Sequence, residues 1–310
     1  MVGPIEDLLT QLRVACAAVA ERARHVRINH EAVPAYAAAL GAVNGDSVSE
    51  SETESPFTPD RAAFWVTLDA INFGSGWFPT LKKPAGKSGY FTIATALRDR
   101  FARVGPWRAD ELAEITPREI ADVVGQERDH ELMALFARSL NDLGKRLTAD
   151  HAGSFEALVD SAGGSAVRLV EQLAGLDCFS DTSAYQELDV PFLKRAQIAA
   201  ADLHRSKIAH FHDLDRLTMF ADNLVPHVLH LDGLLEFDRT LIDRIEREEL
   251  IEHGSPEEVE IRACALHAVE LMVAARSDLT AAHIDELLWN RGQQRRYKSR
   301  TRHRSRCTAY

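Results

Sequence analysis

The sequence has little of what would tie a protein to a membrane, a metal ribbon or a nucleic-acid backbone. Its four cysteines, Cys16, Cys178, Cys264 and Cys307, are scattered through 310 residues with no CxxC pair. That spacing argues against a zinc ribbon and a disulfide scaffold. Cys264 falls on an apolar helical face, where a buried, inert thiol is expected. No apolar run reaches the ~20 residues of a membrane helix. The opening MVGPIEDLLTQLRVA places an acidic pair where a signal peptide needs a positive flank, so a cytoplasmic protein with no membrane partner is expected. Positive charge is also short, with 36 Lys and Arg against 47 Asp and Glu and a net charge of −11. Stable binding to nucleic acid through the whole surface is therefore disfavoured.

What is present is helical pattern. Leu8, Leu9, Leu12, Cys16 and Val19 recur at helical spacing, as do Leu132, Leu135, Phe136, Leu140 and Leu143. Ile261, Cys264, Ala265, Ala268, Val269 and Met272 form a third stripe. Thr116-Pro-Arg-Glu119 reads as an N-cap, a proline at N1 and a capping-box acid at N3; Ser255-Pro-Glu-Glu258 repeats it. AGGS at 162–165 marks a helix break. Two segments, AFWVTL at 63–68 and GYFT at 89–92, have the aromatic and β-branched content of short strands. The fold class is therefore mainly α, a single helical domain over 1–310 with a few short strands. The acidic, polar stretch at about 44–58 reads as a mobile loop. The basic tail, 291–310, reads either as a solvated end or as a phosphate-binding element.

Three segments carry candidate chemistry. FWVTLDAINFGSGWFPTLKK at 64–83 sets Asp69, Asn72, Phe73, Trp77 and Phe78 around a Gly-Ser-Gly turn. Flat aromatic faces, close backbone approach and directional polar groups suit a planar heterocycle; a buried aromatic turn satisfied internally is the alternative. In FLKRAQIAAADL, 192–203, Lys194 opens a small-residue helix, either partly buried there or snorkelling at the surface. In LTMFADNLVPHVLHLDG, 217–233, Asp222 is placed to cap a helix with Pro226 in its first turn, a position that is usually structural.

These blocks, with GYFTIATALRD, EEVEIRACALHAVEL and the terminal RHRSRC, resemble in order the segments of the queuosine-salvage family, from about residue 10 to the end. LDAINFGSGW and LTMFAD are the specific blocks. Asn223, Leu224 and Asp232 depart from the eukaryotic pattern and look like the bacterial branch. The resemblance implies hydrolysis of the N-glycosidic bond of queuosine 5′-monophosphate to queuine and ribose 5-phosphate, feeding queuine salvage for tRNA modification. It also implies a fold similar to the helix-hairpin-helix DNA glycosylases, which use a lysine at a helix start and a later carboxylate. Lys194 and Asp222 take those two places, with Asp222 facing the oxocarbenium-like charge on the sugar. It further implies stacking of the base on Phe73 and Trp77 with Phe78 and Tyr90 adding to the wall, polar contacts from Asp69, Asn72 and His227, and Asp232 paired with the cationic amine of queuine. Arg304 and Arg306, in the terminal RxRC pattern, are implied for the 5′-phosphate. No metal or other cofactor is implied, and the small-molecule substrate is expected to meet a monomer.

Two other classes fit parts of the chain. His212-Asp213, near His204, His210, His227 and Asp238, resembles the HD pair of metal-dependent helical phosphohydrolases. The basic tail alone would suit a nucleic-acid-binding module, against which the net charge weighs.

Overall fold

The computed structural model describes residues 7–41 and 61–310. The segment read as a mobile loop, about 44–58, lies outside the described residues. Among those described, fifteen α-helices and two small two-stranded antiparallel sheets make the fold mainly α.

The helices start where short polar side chains satisfy the first free N–H groups. Asp7 caps Leu8–Arg22, Ser154 caps Phe155–Ser161, Asp238 caps Arg239–Glu246 and Thr280 caps Ala281–Gly292. Thr116 and Glu119 form the expected capping box of Pro117–Val124. Ser255 caps Pro256–Ala275, but Glu258 does not return to it: its carboxylate is buried and accepts the Gly254 N–H instead. The AGGS break holds, with Gly163 and Gly164 both at positive φ between two helices.

Both expected strands are helices. AFWVTL lies inside Arg61–Ala70, where residues 62–70 are buried all round. A short, uniformly apolar run has no period to separate strand from buried helix. GYFT opens the helix Gly89–Val104, capped by Ser88, whose hydroxyl accepts the Phe91 N–H. The strands that form are Val26–Ile28 with Leu235–Phe237 and Thr182–Tyr185 with Leu188–Pro191.

The described residues gather into two compact units. One holds 7–41, Asp181–Lys194 and Asp213–Arg306; the other holds 61–180, Arg195–His212 and Cys307–Tyr310. The first unit is organised on Pro256–Ala275, which buries apolar and charged faces alike, Glu258, Glu260 and Arg262 included. Glu260 is satisfied in place: one oxygen accepts the Arg24, His25 and Val26 N–H groups and the other the Tyr185 hydroxyl. The second unit is organised on Glu131–His151, which buries Leu132, Met133, Phe136, Leu140, Leu143 and Leu147.

Candidate active site

In the first unit the segment 217–222 is extended and mostly buried before the chain turns into the helix Val225–Leu231. Asp222 Oδ1 accepts the Leu224 and Val225 N–H groups at 2.7 and 3.1 Å, which caps that helix. Oδ2 accepts no hydrogen bond among the described residues, and Asp222 is only half-buried. The residues beside it are pinned. Phe220 N–H donates to Asp285 Oδ1 (3.0 Å), the Ala221 carbonyl accepts Arg262 Nε–H (2.9 Å), and the Asn223 amide donates to the His303 carbonyl (3.1 Å). The carboxylate is thus held by its backbone on three sides.

Lys194 is not a snorkelling surface charge: it is 5% exposed at the start of Lys194–Arg205. Asp181 Oδ2 accepts its backbone N–H at 3.0 Å. The preceding Leu193 is buried with φ at +52°, a left-handed conformation that costs a leucine about 1–2 kcal/mol.

Charge ties these groups together. Burial pushes the Asp285 carboxyl well above the ordinary carboxylate range, and the charge of Asp222 pushes it further; the Phe220 N–H and the Lys194 charge oppose this. Burial and a like charge thus both disfavour the ionised form of Asp285. Burial also draws the Arg302 guanidinium down while Asp222 holds it up; an arginine keeps its charge regardless. Asp222, Lys194, Asp285 and Arg302 form one electrostatic group. Neither Asp285 nor Arg302 stood out in the sequence. Asp285 sits in an ordinary-looking AAHIDELL helix, where an acid five residues past a cap reads as solvated, and Arg302 is one of many arginines in the tail.

The basic tail is folded, not solvated. Asp232 accepts hydrogen bonds from the Tyr36 and Tyr297 hydroxyls and from Arg291 and Arg296, at 2.7–3.1 Å. Its carboxylate anchors the tail through these bonds. His227 is likewise committed: Nε2 donates to the Tyr297 carbonyl at 3.0 Å, and burial draws its ring down to about 4. Arg304 pairs with Glu248 at 3.0 Å, and Arg306 is exposed.

Burial also draws His303 down to about 3. A folded-state value below the ordinary 6.5 means that the unfolded chain takes up protons the folded chain refuses. Stability is complete above pH ~6.5 and falls with pH until His227 and then His303 titrate in the folded state. The cost is at most about 3 kcal/mol for His227 and about 5 kcal/mol for His303. Urea melts at pH 7.5 and 5 measure it. His227→Gln keeps a donor for the Tyr297 carbonyl and should flatten the profile; an unchanged profile in that variant removes His227 as a source.

In the second unit the segment read as a heterocycle pocket is a tight turn. Gly74 has φ +104°, its N–H donates to the Tyr310 carbonyl, and its own carbonyl accepts the Trp77 and Phe78 N–H groups. A Cβ there would come within 2.7 Å of Leu132. Asp69 is fully buried and accepts the Asn72 amide at 3.2 Å. Phe73 is buried with its ring edge-to-face on Phe136 (5.1 Å) and under the Arg195 guanidinium (5.0 Å). Trp77 is buried and donates Nε1–H to Glu131 at 2.8 Å. Both large rings pack internally, as the alternative reading had it. Phe78 and Tyr90 keep partial exposure, and the Phe78 ring lies over Gly89, next to Tyr90.

Of the HD alternative, His204, His210 and His212 lie in this unit, whereas Asp213, His227 and Asp238 belong to the first. His204 and His210 pack ring on ring at 5.4 Å, and His204 Nδ1 accepts the Phe211 N–H. Among the described residues no group of three or more His, Cys, Asp or Glu could hold a metal ion.

The family model described as queuosine salvage protein matches residues 53–310. The chain belongs to the queuosine-salvage family. A relative from Sphaerobacter thermophilus named queuosine 5′-phosphate N-glycosylase/hydrolase is 36% identical, over 94% of this chain and 95% of its own. Relatives of the same name from Dictyostelium discoideum and Mus musculus are 29% and 27% identical, over 96% and 94% of this chain and 98% and 96% of their own. The family match runs through Asp222, Lys194, Asp285 and Arg302, so every member of the electrostatic group lies within it. No helix among the described residues is long and apolar enough to cross a membrane.

Proposed function

We propose that this chain hydrolyses the N-glycosidic bond of queuosine 5′-phosphate, giving queuine and ribose 5-phosphate, and that Asp222 carries the reaction. The supporting observation is the state of that carboxylate. One oxygen is fixed by two backbone N–H groups, the other accepts no hydrogen bond among the described residues, and the buried Asp285 carboxyl is raised in part by the charge of Asp222. Departure of the base builds positive charge at C1′. A carboxylate held rigidly in a partly dehydrated setting opposes that charge without reorganising. Lys194 adds a buried cation that steadies the two acids. Water completes the reaction: its hydroxyl joins C1′, and its proton replaces the glycosidic bond on the base.

Queuine is a 7-deazapurine with carbon at position 7, so protonation there cannot help it leave, and the demand on the carboxylate is larger. The base-contact role of Asp69, Asn72, Phe78 and Tyr90 and the phosphate role of Arg304 and Arg306 rest on the family resemblance. Arg302, close in charge to Asp222, joins the phosphate candidates. We place the enzyme in the cytoplasm, acting as a monomer on a free nucleotide. Incubation with queuosine 5′-monophosphate and mass detection of free queuine tests the reading, with queuosine and GMP alongside. Release of queuine from the nucleotide supports it; an intact nucleotide with folded enzyme overturns it.

A further inference from the structure

One buried guanidinium joins the two chain segments that carry Lys194 and Asp222. Arg262 Nη2 donates to Asp181 Oδ2 at 2.7 Å, both side chains fully buried. The same oxygen holds the Lys194 N–H at 3.0 Å, and the Asp181 carbonyl holds the Leu193 N–H at 3.3 Å. Along the same edge Arg262 Nε donates to the carbonyl of Ala221, the residue before Asp222, at 2.9 Å. The plane of the guanidinium lies over Phe192, 3.9 Å from the ring centroid. Glu258, one helical turn earlier, sits 3.5 Å from Nη1. Burial raises the Glu258 carboxyl, but Arg262, His253 and the Gly254 N–H outweigh it and hold it at about 2.

Stability alone does not account for this arrangement. A buried ion pair costs its desolvation, and well-packed apolar side chains of similar volume serve stability as well or better. What apolar groups lack is direction. A planar fork fixes two acceptors at set distance and angle, and here the acceptors belong to the segments bearing Lys194 and Asp222. The left-handed Leu193 is consistent with this: strain beside Lys194 persists only where the surroundings over-determine the backbone.

We propose that Arg262 is a positioning residue for glycosidic-bond cleavage, setting Lys194 and Asp222 in register through Asp181 and the Ala221 carbonyl. This rests on the reading that Asp222 carries the reaction. Arg262→Lys keeps the charge, but one ammonium cannot reproduce the fork. With folding verified by circular dichroism at the assay temperature, kcat for queuosine 5′-monophosphate should fall on the order of 10²-fold, while nucleotide Kd stays within about threefold. The double variant with Asp222→Asn should be no more than about threefold slower than Asp222→Asn alone, because the two act on one step. Should Arg262→Lys not fold, Asp181→Asn, which keeps an acceptor for the Lys194 N–H, should show the same kcat-selective loss. Wild-type kcat per folded molecule, or a loss that multiplies in full with Asp222→Asn, would leave Arg262 a purely structural residue. Full turnover by Asp222→Asn alone overturns the underlying reading instead.

Discussion

Asp222→Asn is expected to lower turnover of queuosine 5′-monophosphate by at least on the order of 10³-fold while nucleotide affinity stays within a few-fold. The magnitude follows from removing preorganised charge at a developing cation. The selectivity follows from the geometry. The asparagine carbonyl can still accept the Leu224 and Val225 N–H groups that Oδ1 accepts now, so the cap and the helix Val225–Leu231 persist. What disappears is the anion. Asp285 then loses the neighbouring charge that helps to raise it, though burial, the larger cause, remains. Single-turnover release of queuine with a separate binding titration checks the split. Turnover within a few-fold of wild type removes Asp222 from the mechanism, and equal losses in binding and turnover make it a substrate anchor.

Trp77→Ala is expected to act first on stability, with a loss of about 3–5 kcal/mol. The indole is buried, and its N–H is the hydrogen-bond donor to Glu131 at the first turn of the helix that organises the second unit. Truncation opens a cavity and strips a donor from a carboxylate, two costs that add. Trp77→Phe, which fills most of the volume but cannot donate, should lose less. Thermal melts of the three proteins give the ranking. An alanine variant with an unchanged melting temperature and weakened nucleotide binding would return Trp77 to the base-stacking role that the resemblance implies.

The difference between those two expectations shows how far the sequence reached. Helix starts were legible because capping is local: Thr116 and Ser255 need only the next three residues to do their work. The helical stripes were legible because a 3.6 period marks the buried face. AFWVTL misled because a segment buried on every side has no period, and its aromatic and β-branched content is a weak guide once tertiary packing decides. For the tail, charge alone left a solvated end and a phosphate-binding element both open; in the fold Tyr297, His303 and Ser305 are buried, and Asp232 gathers Arg291 and Arg296 from afar in sequence.

The sequence by itself determined the mainly-α class and the family, and it pointed to the two residues we propose for the chemistry, Lys194 in FLKRAQ and Asp222 in LTMFAD. Short blocks hold that information because helix caps and family motifs are contiguous. Only the tertiary structure decided what surrounds them. Asp285 is about sixty positions from Asp222 in the chain, and Arg262 and Asp181 are eighty-one apart. No local pattern announces that an acid in one helix will be buried within reach of another's charge, or that one arginine will bond to two distant segments. Charged residues read as solvent-facing until the fold closes over them, and the dehydration that then changes their behaviour is a property of the packed structure alone.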